Sequence, residues 1–184
     1  ICTDPVEAVE RLGGIADGFL VHDRPIERHV DDSVAWIVDG APRLLRRARG
    51  WAPLPVRLRR PVPPLLAAGA QLKSAVALAR GRDAWVGQHI GDLETPEARD
   101  AYRRSVADLL RLYAVRPRIL AHDLHPDSAS WLLAREALRD AAAGGEADPE
   151  FLEIPVQHHH AHLASVLAEH GWEEDAGPVL GVIW

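Results

Sequence analysis

Between Arg49 and Pro64 the chain carries Pro53, Pro55, Pro61, Pro63 and Pro64, interleaved with arginines. Proline has no amide proton to donate and holds φ near its helical and extended value, so a run this dense suits a sheet interior poorly. The reading is an extended connection. It divides the chain into a first region at residues 1–50, a Pro/Arg-rich linker at 51–62, and a second region at 63–184.

Composition fits that division. The 184 residues are 47% hydrophobic and 26% charged, enough apolar material for one substantial core or two smaller ones. No apolar run approaches the roughly 18–20 residues that a membrane-spanning helix needs, so no membrane association is expected. The single cysteine, Cys2, excludes an internal disulfide framework and a Cys-only zinc site. The net charge of −6 gives no reason to expect bulk nucleic-acid binding. There is no methionine, the chain opens on Ile1, and it closes on the apolar run Pro178 to Trp184, which reads as a strand cut short. The expectation is an internal fragment of a longer protein, not a competent enzyme by itself. Of the 21 basic residues only Lys73 is a lysine, which draws attention to its position.

Along the first region, Asp4 can cap a short helix begun by Pro5, with Glu7 completing a capping box and Gly13-Gly14 ending it. Gly18 to His22 reads as a buried strand. Val34 to Val38 and Leu44-Leu45 read as strands joined by an Asp39-Gly40 turn. In the second region, Leu65–Gly69, Leu72–Ala79 and Ala84–Ile90 read as three short strands with connections at Gln71 and Gly81-Arg82. Thr95-Pro96 starts a long helix whose apolar positions Tyr102, Val106, Leu109, Leu110 and Tyr113 follow the helical spacing. A strand at 118–122, a helix at 127–143 ended by Gly144-Gly145, a strand at 152–156, a helix at 158–170 and a strand at 179–184 follow. The order β-β-β-α-β-α-β-α-β predicts a mixed sheet covered by helices on both faces. It is the order of a ribonuclease-H-like half of an actin-type ATPase domain.

Chemistry concentrates in a few strings. Val156 to His162 places four histidines in five positions, directly after a strand, where open α/β sheets hold ligands. On a helix His158 and His162 share a face one turn apart, so both imidazoles can reach one cation; His159 with His162 is a less aligned option. Two histidines do not saturate a metal, so a carboxylate from elsewhere is needed. The competing reading is a polar helix start with solvated histidines. His122, Asp123 and His125 also follow a strand and are site candidates, unless Asp123 or Asp127 only caps the next helix. His89 and Asp92 flank Gly91, where Asp92 either serves a site or ties the loop through backbone hydrogen bonds. Lys73 sits in a turn where its ammonium could hold a phosphate or carbamoyl oxygen; the glycine spacing of a Walker loop is absent. In the first region His22 and Arg24, and Asp31, Asp32 and Ser33, lie in dense polar clusters, Asp31-Asp32 reading as a turn or a polar site; Arg47 and Arg49, within a local basic run, are candidates for phosphate or nucleotide contact, against solvated arginines as the bland reading.

These strings together resemble the HypF family, the carbamoyltransferases of nickel-iron hydrogenase maturation. The matching stretches are Gly14 to Asp17 with His22 to Ile26, Asp31 to Val34, Arg46 to Gly50, Gly69 to Lys73, Gln88 to Glu94, His122 to Asp127, and Val156 to His162, in family order over nearly the whole chain. The resemblance implies that residues 1–50 are the C-terminal part of a YrdC-like α/β domain and 63–184 the N-terminal part of a TsaD-like carbamoyl-transfer domain. It implies a cytoplasmic enzyme that makes carbamoyl adenylate from carbamoyl phosphate and ATP, and passes the carbamoyl group to the C-terminal cysteine of HypE, for the cyanide ligand of the hydrogenase iron. His158 and His162 look like its metal pair, for zinc or iron, with magnesium accompanying ATP and the third, carboxylate ligand beyond residue 184. Lys73, His89, Asp92, His122, Asp123 and His125 look like catalytic-site candidates; His22, Arg24, Asp31, Asp32, Ser33, Arg47 and Arg49 look like substrate-binding ones. Within the matching strings, Gln71 stands where glutamate is usual, Ser74 for asparagine, Trp51 for tyrosine, and Ser128 at an aromatic position. The alternatives are a TsaD-type tRNA threonylcarbamoyl transferase and a non-catalytic metal-binding remnant.

Overall fold

The computed structural model describes residues 2–142, 150–172 and 177–183. The chain forms two compact units, Ile1–Trp51 and Ala52–Trp184. Among the described residues no helix is long and apolar enough to cross a membrane.

In the first unit, helix α1 (Pro5–Leu12) starts as its sequence requires. The Asp4 carboxylate accepts from the Val6 and Glu7 amides at 2.9 and 3.0 Å, and Gly13 follows the last turn. Glu7 ion-pairs Arg11 one turn on. Strands β1 (Val34–Val38) and β2 (Ala41–Arg46) form an antiparallel hairpin. Its turn residues Asp39 and Gly40 both have positive φ, 51° and 75°, the geometry that an Asp-Gly pair tolerates and a two-residue hairpin needs. Gly18 to His22 is not a strand: it is irregular and exposed, with Leu20 fully open to solvent. An apolar run becomes a buried strand only where a neighbour offers a ladder, and in this unit the ladder is taken up by β1 and β2. Only Ala48 among this unit's described apolar residues is buried.

The second unit holds the core. Strands β3 (Pro55–Ala67), β4 (Ala77–Val86), β5 (Ile119–Asp123) and β6 (Leu152–Val156) form one sheet in the order β4-β3-β5-β6. β3 runs antiparallel to β4 and parallel to β5, which is parallel to β6. The fold is thus mixed α/β, with helices α2 (Pro96–Tyr113), α3 (Ala129–Ala142) and α4 (His158–Glu169) between or after the strands. Leu66, Leu78 and Leu120 from the sheet, Tyr102 and Val106 from α2, and Leu133 and Ala134 from α3 form one buried cluster. Each large side chain there contributes roughly 1.5–3 kcal/mol of burial. Trp85 stacks on Tyr113 with ring centroids 4.1 Å apart. α4 buries no residue.

Three sequence expectations change here. The Pro/Arg-rich stretch is not a linker along most of its length: residues 55–62 are the first part of β3. The prolines are accommodated because β5 joins β3 only at Leu65–Ala67, and the β3–β4 register shifts between Arg57 and Val62 and again between Val62 and Leu65. A proline costs little where one side of a strand is an open edge or the ladder is interrupted. The expected three-strand meander is two strands, because β4 runs straight through Gly81-Arg82, with Gly81 at φ 61° opposite Val62 at the register shift. Residues 179–183 are irregular, not a strand, with Leu180 and Val182 exposed and the backbone at Gly181 lying against Leu163 of α4. Trp184 and the expected Gly144-Gly145 helix stop lie outside the described residues.

Candidate functional site

The site is built where β5 and β6 end. Their parallel register sets Asp123 level with Val156, and the Leu124 amide donates to the Val156 carbonyl at 3.0 Å. Two residues beyond Val156, α4 begins with His158 as its first residue, and no side chain of Gln157 caps it. His158 and His162 therefore stand one turn apart, ring centroids 4.7 Å apart, with their Nε2 atoms 3.1 Å from each other. On its other side His158 Nδ1 meets Asp123 Oδ2 at 2.7 Å. Asp123 Oδ1 accepts from the His125 amide at 3.2 Å. His125 Nδ1 in turn accepts from the Asp127 amide at 3.3 Å, closing the turn into α3.

Burial works to raise the Asp123 carboxyl's pKa. The His158 hydrogen bond, the His125 amide and the charges of both rings outweigh it and hold the group below the ordinary carboxylate range. His122 Nδ1 donates to the Asp123 carbonyl at 2.8 Å, and its ring stacks on Trp131 at 5.1 Å. A cavity of about 300 Å³ opens beside these groups, walled by Ala67, Gly69 and Ala70 at and just after the end of β3, by His122 and Asp123 at the end of β5, and by His158, Ala161, His162 and Ser165 of α4.

The segment after β3 is held by contacts that sequence reasoning did not foresee. Gly69 has φ 69°, and a Cβ there would sit 2.3 Å from the Ala75 carbonyl oxygen. The Tyr102 hydroxyl donates to the Ala68 carbonyl at 2.7 Å, and Ser130 Oγ donates to the Gly69 carbonyl at 2.8 Å. Gln71 Oε1 accepts from the Ala129 amide at the start of α3, at 3.0 Å. The advance signals were Gly69 and Gln71 within a matching string and Tyr102 as an apolar helix position; none reveals which backbone group each side chain finds.

The remaining candidates fall elsewhere. Lys73, His89 and Asp92 are outside the cavity's wall, as is His125. The Lys73 backbone is left-handed, φ 50°, and its amide donates to Asp92 Oδ1 at 2.7 Å, so Asp92 ties this loop. The Ser74 and Ile90 amides cross-link the same loops through the Gly91 and Ser74 carbonyls, both at 2.8 Å. In the first unit Asp31, Asp32, Ser33 and Arg49 are brought together. Arg46 pairs with Asp31 at 3.0 Å and Arg49 with Asp32 at 2.7 Å. Ser33 Oγ accepts from the Ala48 amide and donates to the Arg49 carbonyl, and Arg47 donates to the Trp51 carbonyl. His22 Nδ1 accepts from the Arg24 amide in a separate local turn.

Among the described residues, no group of three or more His, Cys, Asp or Glu side chains is placed to hold a metal ion. The His158–His162 pair nonetheless fits half of such a site. Two imidazoles bound to one tetrahedral zinc at ~2.0–2.1 Å would place their nitrogens roughly 3.3 Å apart, close to the observed 3.1 Å.

Parallel strands of a mixed α/β unit thus end beside a histidine pair and a carboxylate at a small-residue cavity. The chain belongs to the HypF family: residues 60–169 match the family model described as the HypF Kae1-like domain. Over its whole length it is 45% identical to the carbamoyltransferase HypF of Synechocystis sp., of which it spans 22%. A crystal structure of full-length HypF in the phosphate- and nucleotide-bound form matches 95% of this chain with a TM-score of 0.78 and 39% identity, over 26% of that chain. The crystal structure of T. kodakarensis HypF matches 93% with a TM-score of 0.79 and 33% identity, over 21% of that chain. The chain thus spans about a fifth to a quarter of the relatives it matches.

Proposed function

We propose that this chain is part of an ATP-dependent carbamoyltransferase that uses carbamoyl phosphate to carbamoylate the C-terminal cysteine of HypE, supplying the cyanide ligand in nickel-iron hydrogenase maturation. The observation that carries this reading is the convergence of His158, His162, Asp123 and His122 on one cavity at the strand ends, in a chain aligned throughout with a carbamoyltransferase. A phosphate- and nucleotide-bound relative of the same fold supports phosphate and ATP as ligand chemistry.

In this reading His158 and His162 hold a divalent zinc or iron, completed by a carboxylate from elsewhere, with magnesium entering alongside ATP. When bound, the metal supplies Lewis acidity toward a carbamoyl or phosphate oxygen. The chain's own residues do the rest. His122, its Nδ1 committed to the Asp123 carbonyl, leaves Nε2 as its remaining ring nitrogen at the cavity wall. The apolar Ala67–Ala70 wall limits water around the carbamoyl group. Lys73, His89, Asp92 and His125 are further catalytic-site residues in this reading, their loops held by the Lys73–Asp92 and His125–Asp123 hydrogen bonds. Residues 1–50 are the C-terminal part of a YrdC-like domain. There His22, Arg24, Asp31, Asp32, Ser33, Arg47 and Arg49 contact nucleotide or phosphate, which requires the Asp31–Arg46 and Asp32–Arg49 pairs to open. Both pairs are partly exposed, and such pairs hold by about 1 kcal/mol or less.

The test is carbamoyl-phosphate-dependent ATP–pyrophosphate exchange, and HypE carbamoylation read by intact mass, with the full-length protein that carries this segment. His158→Ala with His162→Ala should abolish HypE carbamoylation and lower metal content. Absence of carbamoyl-phosphate-dependent exchange in the unmodified protein would overturn the reading.

A further inference from the structure

We infer that Asp123 is a positioning residue that fixes the tautomer and direction of His158, so that the Nε2 atoms of His158 and His162 face one shared point. The inference rests on the metal-pair reading above and deepens it. An ionised carboxylate can only accept, so the 2.7 Å contact requires His158 Nδ1 to carry the proton. In the neutral ring the lone pair is then on Nε2, the atom 3.1 Å from His162 Nε2. Without that partner a histidine ring is free to carry its proton on Nε2 and to swing about its two side-chain torsions.

Asp123 is itself immobilised. Its other oxygen takes the His125 amide, its side chain is only 14% exposed against 49% for His158, and the β5–β6 register fixes its height relative to the start of α4. The carboxylate comes from β5 and the ring from the helix after β6, so the sheet register sets the ligand's orientation. Carboxylates in this relation to a ligating histidine raise its basicity and hold its plane, and their loss weakens metal binding about 10–100-fold.

The experiment uses the full-length protein that carries this segment, ¹⁵N-labelled at histidine. Long-range ¹H–¹⁵N spectra read the tautomer without metal, and zinc titration against a competing chelator reads affinity. Asp123→Ala should move His158 from Nδ1–H toward Nε2–H and weaken zinc about 10–100-fold. Asp123→Asn has one oxygen for the two contacts that Asp123 accepts, so its NH2 can donate to His158 Nδ1 and it should not restore the Nδ1–H tautomer. A purely structural ion pair would not move the tautomer of one ring selectively. The inference is overturned if Asp123→Ala keeps His158 as Nδ1–H, or if zinc affinity stays within about twofold. If the unmodified protein binds no zinc, the metal reading fails; the tautomer shift then decides the positioning role by itself.

Discussion

Gly69 carries more of the site than its size suggests. Its positive φ and the 2.3 Å approach of a hypothetical Cβ to the Ala75 carbonyl leave no room for a side chain. Gly69→Ala should cost about 1–3 kcal/mol from backbone strain alone, with the clash added. The result to look for is a lower urea midpoint with an unchanged slope; an unchanged midpoint would contradict the close approach. Tyr102 gives a second prediction. Burial raises its phenol above the ordinary 10.0, so the folded state keeps a proton that the unfolded state loses. The stabilisation is complete below pH 10 and falls as pH rises above it. Tyr102→Phe should remove this alkaline sensitivity, while leaving the Ala68 carbonyl unsatisfied at a cost of about 1–3 kcal/mol near neutrality. Denaturant titrations of both proteins at two pH values test it. At this scale the expected one-turn spacing of His158 and His162 on a helix is what the structure has, because helical spacing is a local rule. It also marked Asp123, but not that its partner lies 35 residues away. Lys73 drew notice for its rarity, whereas what the structure makes of the position is a left-handed turn tied by Asp92.

Strand β3 is the element whose composition misleads most. Its prolines argue against a sheet, yet those between Arg57 and Leu65 fall where the ladder is shifted and β5 has not yet joined. Its fully buried Leu66 lies in the part paired on both sides. Pro61→Ala should therefore change stability by less than about 1 kcal/mol, whereas Leu66→Ala should cost about 2–5 kcal/mol. Comparable losses in a thermal or chemical melt would refute this one-sided account of β3. Helices α2, α3 and α4 and strands β5 and β6 were legible to within a few residues, since their periodicity and caps are encoded locally. The two strands that failed, at 18–22 and 179–183, carry the right apolar residues but lack a partner, and pairing is not written within a segment.

At the scale of the whole chain, the buried cluster belongs to the second unit, while the first has one buried apolar residue among those described. Residues 16–31 of the first unit are exposed almost throughout and lack regular structure. Limited trypsin digestion should cut first after Arg28, and leave the segment from β3 to α3 intact for longer. Mass spectrometry of early fragments decides; first cuts within α2 would reverse the ranking. The Asp123–His158 contact carries a kinetic consequence too. It spans 35 residues, and it forms only after the chain has crossed from β5 through α3 and laid β6 alongside in register. No short peptide from this region can reproduce it. The His158 ring is therefore a late reporter of assembly: its proton moves to Nδ1 when the crossover closes, and a one-residue slip of β6 would abolish the signal.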